Sequence, residues 1–162
     1  MDYLWSPWRY QYVTQQAPSE GCVFCAKIQD KPQQENDEEN FVLHRGRNNF
    51  VILNLFPYTS GHLMVVPYSH IGQLSAADDA TWAEMMALTR KAEQALQQSY
   101  RPDGINLGMN LGKSAGAGIA EHIHMHVLPR WHADSNFVTV IGETRVLPEA
   151  LADTYRKLKP LF

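Results

Sequence analysis

Long apolar runs are missing from this chain: no stretch approaches the ~20 residues that span a bilayer, so a membrane helix is excluded. The opening Met1-Asp2-Tyr3-Leu4-Trp5 has neither a basic segment nor an apolar one behind it, so a secretory signal is not expected and the cytoplasm is the default. Cysteine is scarce. The two present, Cys22 and Cys25, are too close together to staple a disulfide framework. Strong charge bias is absent as well. A net charge of −3 gives no global pull toward nucleic acid or an anionic membrane. Phosphates, if bound, must be held by local dipoles and a few cations. Internal repeats and low-complexity tracts do not occur. With 162 residues, 44 % of them hydrophobic, the chain is read as one domain over residues 1–162 with a real core.

What is abundant is histidine in one place. Glu121-His122-Ile123-His124-Met125-His126-Val127-Leu128-Pro129 sets three imidazoles at every second position, with apolar residues between. Along a strand, side chains at i, i+2 and i+4 share a face. The spacing therefore predicts a strand with all three imidazoles on one side and Ile123, Met125 and Val127 on the other. Three imidazoles on a core face each need a hydrogen-bond partner or a metal. The plainer alternative is a solvated edge strand that happens to carry them.

The rest of the chain supplies a scaffold. Residues 1–20 hold Trp5, Pro7, Trp8, Tyr10 and Tyr12 and read as an arm packed on the domain or on a second subunit. Cys22-Val23-Phe24-Cys25 is a zinc half-site, a redox pair or two ordinary cysteines. The redox version would open a helix in a βαβ setting, and that context is not visible. Zinc would need two further ligands, for which His70 and His122 are candidates. Residues 29–40 read as a polar loop. Strands are expected at 41–45, 50–55 and 62–66, the last two forming a hairpin with Asn54 and His62 at its tip. A helix should run from Ser75, a possible cap, to about Gln98, with Asp78 and Asp79 at its positive end. Trp82, Met85, Met86, Thr89, Ala92 and Leu96 form its core-facing stripe. Residues 104–110 alternate into a strand with one polar face. Residues 129–137 read as a loop, 138–141 as a short strand, and 147–160 as a C-terminal helix burying Leu151, Tyr155 and Leu158.

The glycine-rich stretch 112–118 fails two motif tests. Gly112-Lys113-Ser114 resembles the end of a P-loop, but the required earlier glycine falls on Leu107, and a helix does not follow. The dinucleotide fingerprint fails because Gly116 and Gly118 are followed by Glu121 where a third glycine is needed. A flexible loop remains, with free backbone N–H groups and one Lys, able to hold anionic oxygens.

Aligned histidines permit two chemistries. Three of them can hold a catalytic zinc with an open position. Alternatively, an imidazole can attack phosphorus and pass the phosphoryl group to a second nucleophile. That second role needs a fixed tautomer and donors around the developing charge. A neighbouring His and a glycine-rich loop favour it here.

His122-x-His124-x-His126 with Val127-Leu128-Pro129 resembles the motif of the histidine triad (HIT) family. Asn54 with Gly61-His62-Leu63-Met64-Val65-Val66-Pro67 is similar to that family's Asn/Asp and Gly-His segment. Cys22, Cys25 and Pro67-Tyr68-Ser69-His70 resemble the zinc positions of its bacterial branch. The flanks, Trp5-Ser6-Pro7-Trp8-Arg9 and Pro129-Arg130-Trp131 with Asn136-Phe137, look like its diadenosine polyphosphate phosphorylases and hydrolases, near the fragile-histidine-triad branch. The resemblance implies an α+β fold with an antiparallel sheet, a long helix and a C-terminal helix, with residues 21–132 as its core and 133–162 as an extension. It implies a homodimer and cleavage at a nucleotide α-phosphate. His124 would be the nucleophile, His126 would bond phosphate oxygens, His122 would orient the site, and His62 would support the cluster. Asn54 would contact ribose. Asn110 stands where fragile-histidine-triad enzymes have Gln, and would contact phosphate, as would the backbone at Gly116 and Gly118. Cys22, Cys25, His70 and His122 would hold a structural zinc. Diadenosine tetraphosphate is the favoured substrate, with inorganic phosphate as co-substrate yielding ADP and ATP. Hydrolysis to AMP and ATP, phosphoramidate cleavage and low-turnover nucleotide binding are the alternatives. No nucleic-acid or membrane partner is implied. One departure stands out: where many relatives carry Gly-Gln before the triad, this chain has Gly116-Ala117-Gly118-Ile119.

Overall fold

The computed structural model describes residues 21–29, 36–132, 134, 137–141 and 147–162. The expected aromatic arm, residues 1–20, lies outside the described residues. A short helix, α1 (Val23–Gln29), opens at the cysteine pair. Strands β1 (Val42–Arg45), β2 (Asn49–Leu53) and β3 (Leu63–Pro67) follow, then the long helix α2 (Asp79–Tyr100). After it come β4 (Gly104–Gly108), β5 (Met125–Arg130), a single-turn helix α3 (Phe137–Val140) and α4 (Leu151–Leu158). The strands form one antiparallel sheet in the order β1-β2-β3-β5-β4. The fold is the expected α+β arrangement.

Every residue of β2 and β3 is buried, because both sheet faces are covered. Val51, Leu53, Leu63, Val65 and Val127 face α2 and α4, meeting Met85, Leu88, Ala92, Leu96, Tyr155 and Leu158. Phe50, Ile52, Met64 and Val66 face the other way and meet Phe24 of α1. The period of two thus splits each strand between two cores.

Local chemistry sets the ends of α2. Asp78 caps it, its carboxylate accepting from the Thr81 N–H at 2.8 Å. Ser75 does not cap it; it sits in a separate 3₁₀ turn, Leu74–Ala76. Met86 also departs from the expected stripe. One residue past Met85 it is turned about 100° around the axis and stands exposed, while Leu88 and Ala95 take up the burial. Residues 138–141 are not a strand: they fall in and just after α3. The histidine strand is shifted as well. It begins at Met125 and runs through Pro129 to Arg130, so His122 and His124 precede it. The chain there is pinned to the 3₁₀ approach by the Ile123 N–H, which donates to the Ile71 carbonyl at 2.8 Å.

The hairpin tip depends on Gly61. Its φ is +81°, and an added Cβ would meet Leu96 Cδ2 at 3.0 Å and Tyr100 Cε2 at 3.2 Å. Only glycine fits that turn without strain, and it delivers His62 directly into the sheet.

Candidate active site and metal cluster

All three motif histidines are buried, as is His62. Register explains the placement. His126 pairs with Met64 of β3 and Gly108 of β4, so its ring lies on the α1 side of the sheet. Val127, opposite Leu63, joins the other core. Phe24 stacks against the row, 5.4 Å from the His122 ring and 5.1 Å from His124. His124 and His126 meet edge to face at 4.8 Å.

The hydrogen bonds fix each tautomer. A carbonyl oxygen can only accept. His124 Nδ1 lies 2.9 Å from the His122 carbonyl oxygen, so Nδ1–H donates and Nε2 carries the lone pair. A second chain runs through His62. Its Nδ1 accepts from the Tyr58 N–H at 3.1 Å and from the Asn54 amide at 3.3 Å. Its Nε2 must then be the protonated nitrogen, and it donates to His126 Nδ1 at 2.9 Å. His126 in turn presents Nε2–H as a donor. The site therefore holds a basic nitrogen and an N–H donor on adjacent rings, both set by protein partners. Burial pushes the His124 imidazole below its ordinary pKa. It pushes His126 down to about 4, with the neighbouring His124 adding to the effect. Both rings are neutral near pH 7.

Asn54 has a part in this that its position in the sequence does not disclose. Its Oδ1 accepts from the Phe56 N–H at 2.9 Å, which turns its amide N–H₂ toward His62. The signal that could have revealed it is the pairing of Asn54 and His62 across the hairpin tip. Asn110 is half-buried beside His126 on the wall of a cavity of about 1000 Å³. The glycine-rich loop is less open than expected. It forms a 3₁₀ turn, Lys113–Ala115. The amides of Gly116 and Ala117 are used internally, on the carbonyls of Lys113 and Gly112. Gly116 has φ +90° and Gly118 stands exposed beyond it.

Cys22, Cys25, His70 and His122 converge, their ligand atoms all within 4.8 Å of one another. Cys22 Sγ is 3.2 Å and Cys25 Sγ 3.7 Å from His122 Nδ1, and Cys25 Sγ is 3.4 Å from His70 Nδ1. A tetrahedral zinc with ordinary bond lengths sets sulfur and nitrogen about 3.5 Å apart, so the donor set fits. His122 is also prepared for that role. Its Nε2–H donates to the Pro67 carbonyl at 2.8 Å, leaving Nδ1 as the electron pair facing the sulfurs. The cysteine pair opens a helix, as a redox pair would, but α1 leads into an antiparallel sheet. Burial and the neighbouring Cys22 raise the Cys25 thiol pKa, opposite to the activation of a redox cysteine.

The chain resembles several known proteins. The HIT domain model matches residues 34–133. An AP-4-A phosphorylase of Mycobacterium tuberculosis is 43 % identical over 159 residues, covering 96 % of this chain and 81 % of the relative. The crystal structure of a Zn-bound histidine triad family protein from Mycobacterium smegmatis superposes with a TM-score of 0.67 at 30 % identity, over 87 % of this chain and 92 % of that one. A hypothetical histidine triad nucleotide-binding protein from Sulfolobus tokodaii gives 0.65 at 26 % identity, over 86 % and 88 %. This chain belongs to the histidine triad (HIT) family and is one of its enzymes.

Proposed function

We propose that the protein cleaves dinucleoside polyphosphates, diadenosine tetraphosphate above all, at an α-phosphate. His124 Nε2 attacks that phosphorus, a P–N bond forms, and the bond to the bridging oxygen breaks with ATP as leaving group. His126 Nε2–H donates to a phosphate oxygen and stabilises the developing charge. Inorganic phosphate then attacks the adenylyl-His124 intermediate, returning the imidazole and releasing ADP. Water in the same role would release AMP. The observation that carries the reading is the tautomer pair: a lone pair on His124 beside an N–H on His126. The 43 % identity to an AP-4-A phosphorylase supports phosphorolysis over hydrolysis.

Asn54 reaches the ribose with the amide hydrogen that His62 does not use. Asn110 and the backbone from Gly118 onward hold phosphate oxygens, and His62 keeps His126 in register. Cys22, Cys25, His70 and His122 hold zinc. With four protein ligands its sphere is closed and it activates no water, so its contribution is structural. His122 acts on the reaction through its carbonyl, which holds His124. The protein works as a cytoplasmic homodimer; no described helix is long and apolar enough to cross a membrane.

The test is one incubation with diadenosine tetraphosphate, with and without inorganic phosphate, read by chromatography. ADP plus ATP only when phosphate is present is the expected outcome. AMP plus ATP regardless of phosphate would make the enzyme a hydrolase of the same mechanism. No product in either arm would overturn the reading.

A further inference from the structure

We infer that the cavity running from His126 toward Trp131 is the seat of the far nucleoside of the substrate, with the Trp131 ring as its stacking surface; this rests on the dinucleotide reading above. The floor of the cavity is the polar face of β4 and β5, continuous with the reaction centre because His126, Leu128 and Arg130 alternate onto it. Five residues of strand separate His126 from Trp131, about 16 Å at ~3.3 Å per residue. A mononucleotide seated on His124 does not reach that far. A second nucleoside at the end of a polyphosphate does. At about 1000 Å³ the cavity has room for it.

The chemistry changes along its length. Near His126, the wall includes Ser60, whose buried Oγ has no hydrogen-bond partner among the described residues. A buried hydroxyl left unpaired is costly, and an oxygen of the bound chain would satisfy it. At the far end the cations are already neutralised. Arg130 donates to Asp134 at 2.6 and 2.7 Å and to Asn106 at 2.8 Å. Lys157 pairs with Glu149 and lies over the Tyr100 ring. No charge is left there to draw a further anion. What remains is aromatic: Trp131 and Tyr100, edge to face at 6.3 Å. A neutral aromatic end suits a base, and stacking a base on such a ring strengthens binding by roughly ten- to a hundredfold.

The test compares diadenosine tetraphosphate with adenosine tetraphosphate, which lacks only the far nucleoside. Calorimetry on the wild-type protein should show the dinucleotide binding about tenfold tighter or more. The ratio of kcat/KM for the two ligands should shift the same way. In Trp131→Ala both ratios should collapse toward one, and Trp131→Phe, which keeps a ring, should restore most of the preference. Equal binding of the two ligands by the wild type would overturn the inference. So would a ratio that Trp131→Ala leaves unchanged. A binding preference that depends on Trp131, found without turnover, would uphold the subsite and overturn the reaction assigned to the protein.

Discussion

At position 124 the imidazole has two nitrogens and one is already committed. The His122 carbonyl takes Nδ1–H at 2.9 Å, so the remaining lone pair can only face the substrate. His124→Ala should therefore lower kcat by at least ~10³-fold, the scale of nucleophile removal. A steady-state assay on diadenosine tetraphosphate measures this, and a loss below tenfold would move the nucleophile elsewhere. The buried rings also carry a pH signature. His126 has its pKa depressed to about 4 from an ordinary 6.5, first by burial and then by His124. The native state then binds fewer protons than the unfolded chain between those values. The ring's contribution to stability is complete above pH 6.5 and is lost as pH falls toward 4. Urea unfolding at pH 7.5 and 4.5 should show a lower midpoint in acid, and His126→Gln should narrow that gap.

The elements bring these residues together by two devices, a turn and a cluster. At the β2–β3 turn, Gly61 holds φ +81° against Leu96 and Tyr100. Gly61→Ala should cost about 1–3 kcal/mol of stability through strained backbone, read as a lower denaturation midpoint. It should also lower kcat by displacing His62, the donor that orients His126. The cluster ties α1 to the segment before β5 through Cys22, Cys25, His70 and His122. His122 belongs to both systems, with its ring in the cluster and its carbonyl on His124. Cys22→Ser should abolish bound zinc in metal analysis and loosen α1 in hydrogen exchange. Unchanged zinc content would remove the site from consideration. The sequence disclosed the ligand types and their spacing. It did not disclose that the His122 ring turns from the other two, because that depends on the Pro67 carbonyl, 55 residues away.

For the whole molecule the open question is assembly. β4 is an edge strand, pairing only with β5 among the described residues, and Leu107 and Leu111 on and just after it are exposed. An edge with exposed apolar side chains invites a partner. Sedimentation equilibrium should give at least twice the mass of one 18.4 kDa chain. A monomer mass at micromolar concentration would set the homodimer aside.

The sequence by itself determined whatever depends on spacing and residue type. The three histidines on alternate positions, the hairpin holding Asn54 and His62, the long α2 and the apolar face of α4 are local patterns, and each formed close to where it was read. Errors arose where a tertiary partner outweighed local preference. Ser75 could cap a helix, but Asp78, with a carboxylate in reach of the Thr81 N–H, does so. Phe137–Val140 has the β-branched residues of a strand, yet coils into one helical turn. His122 and His124 fall short of the strand their alternation suggested. Only the tertiary structure decided which nitrogen of each imidazole is free. That choice is made by carbonyls and N–H groups from distant segments, and a proton on a ring leaves no trace in the order of the amino acids.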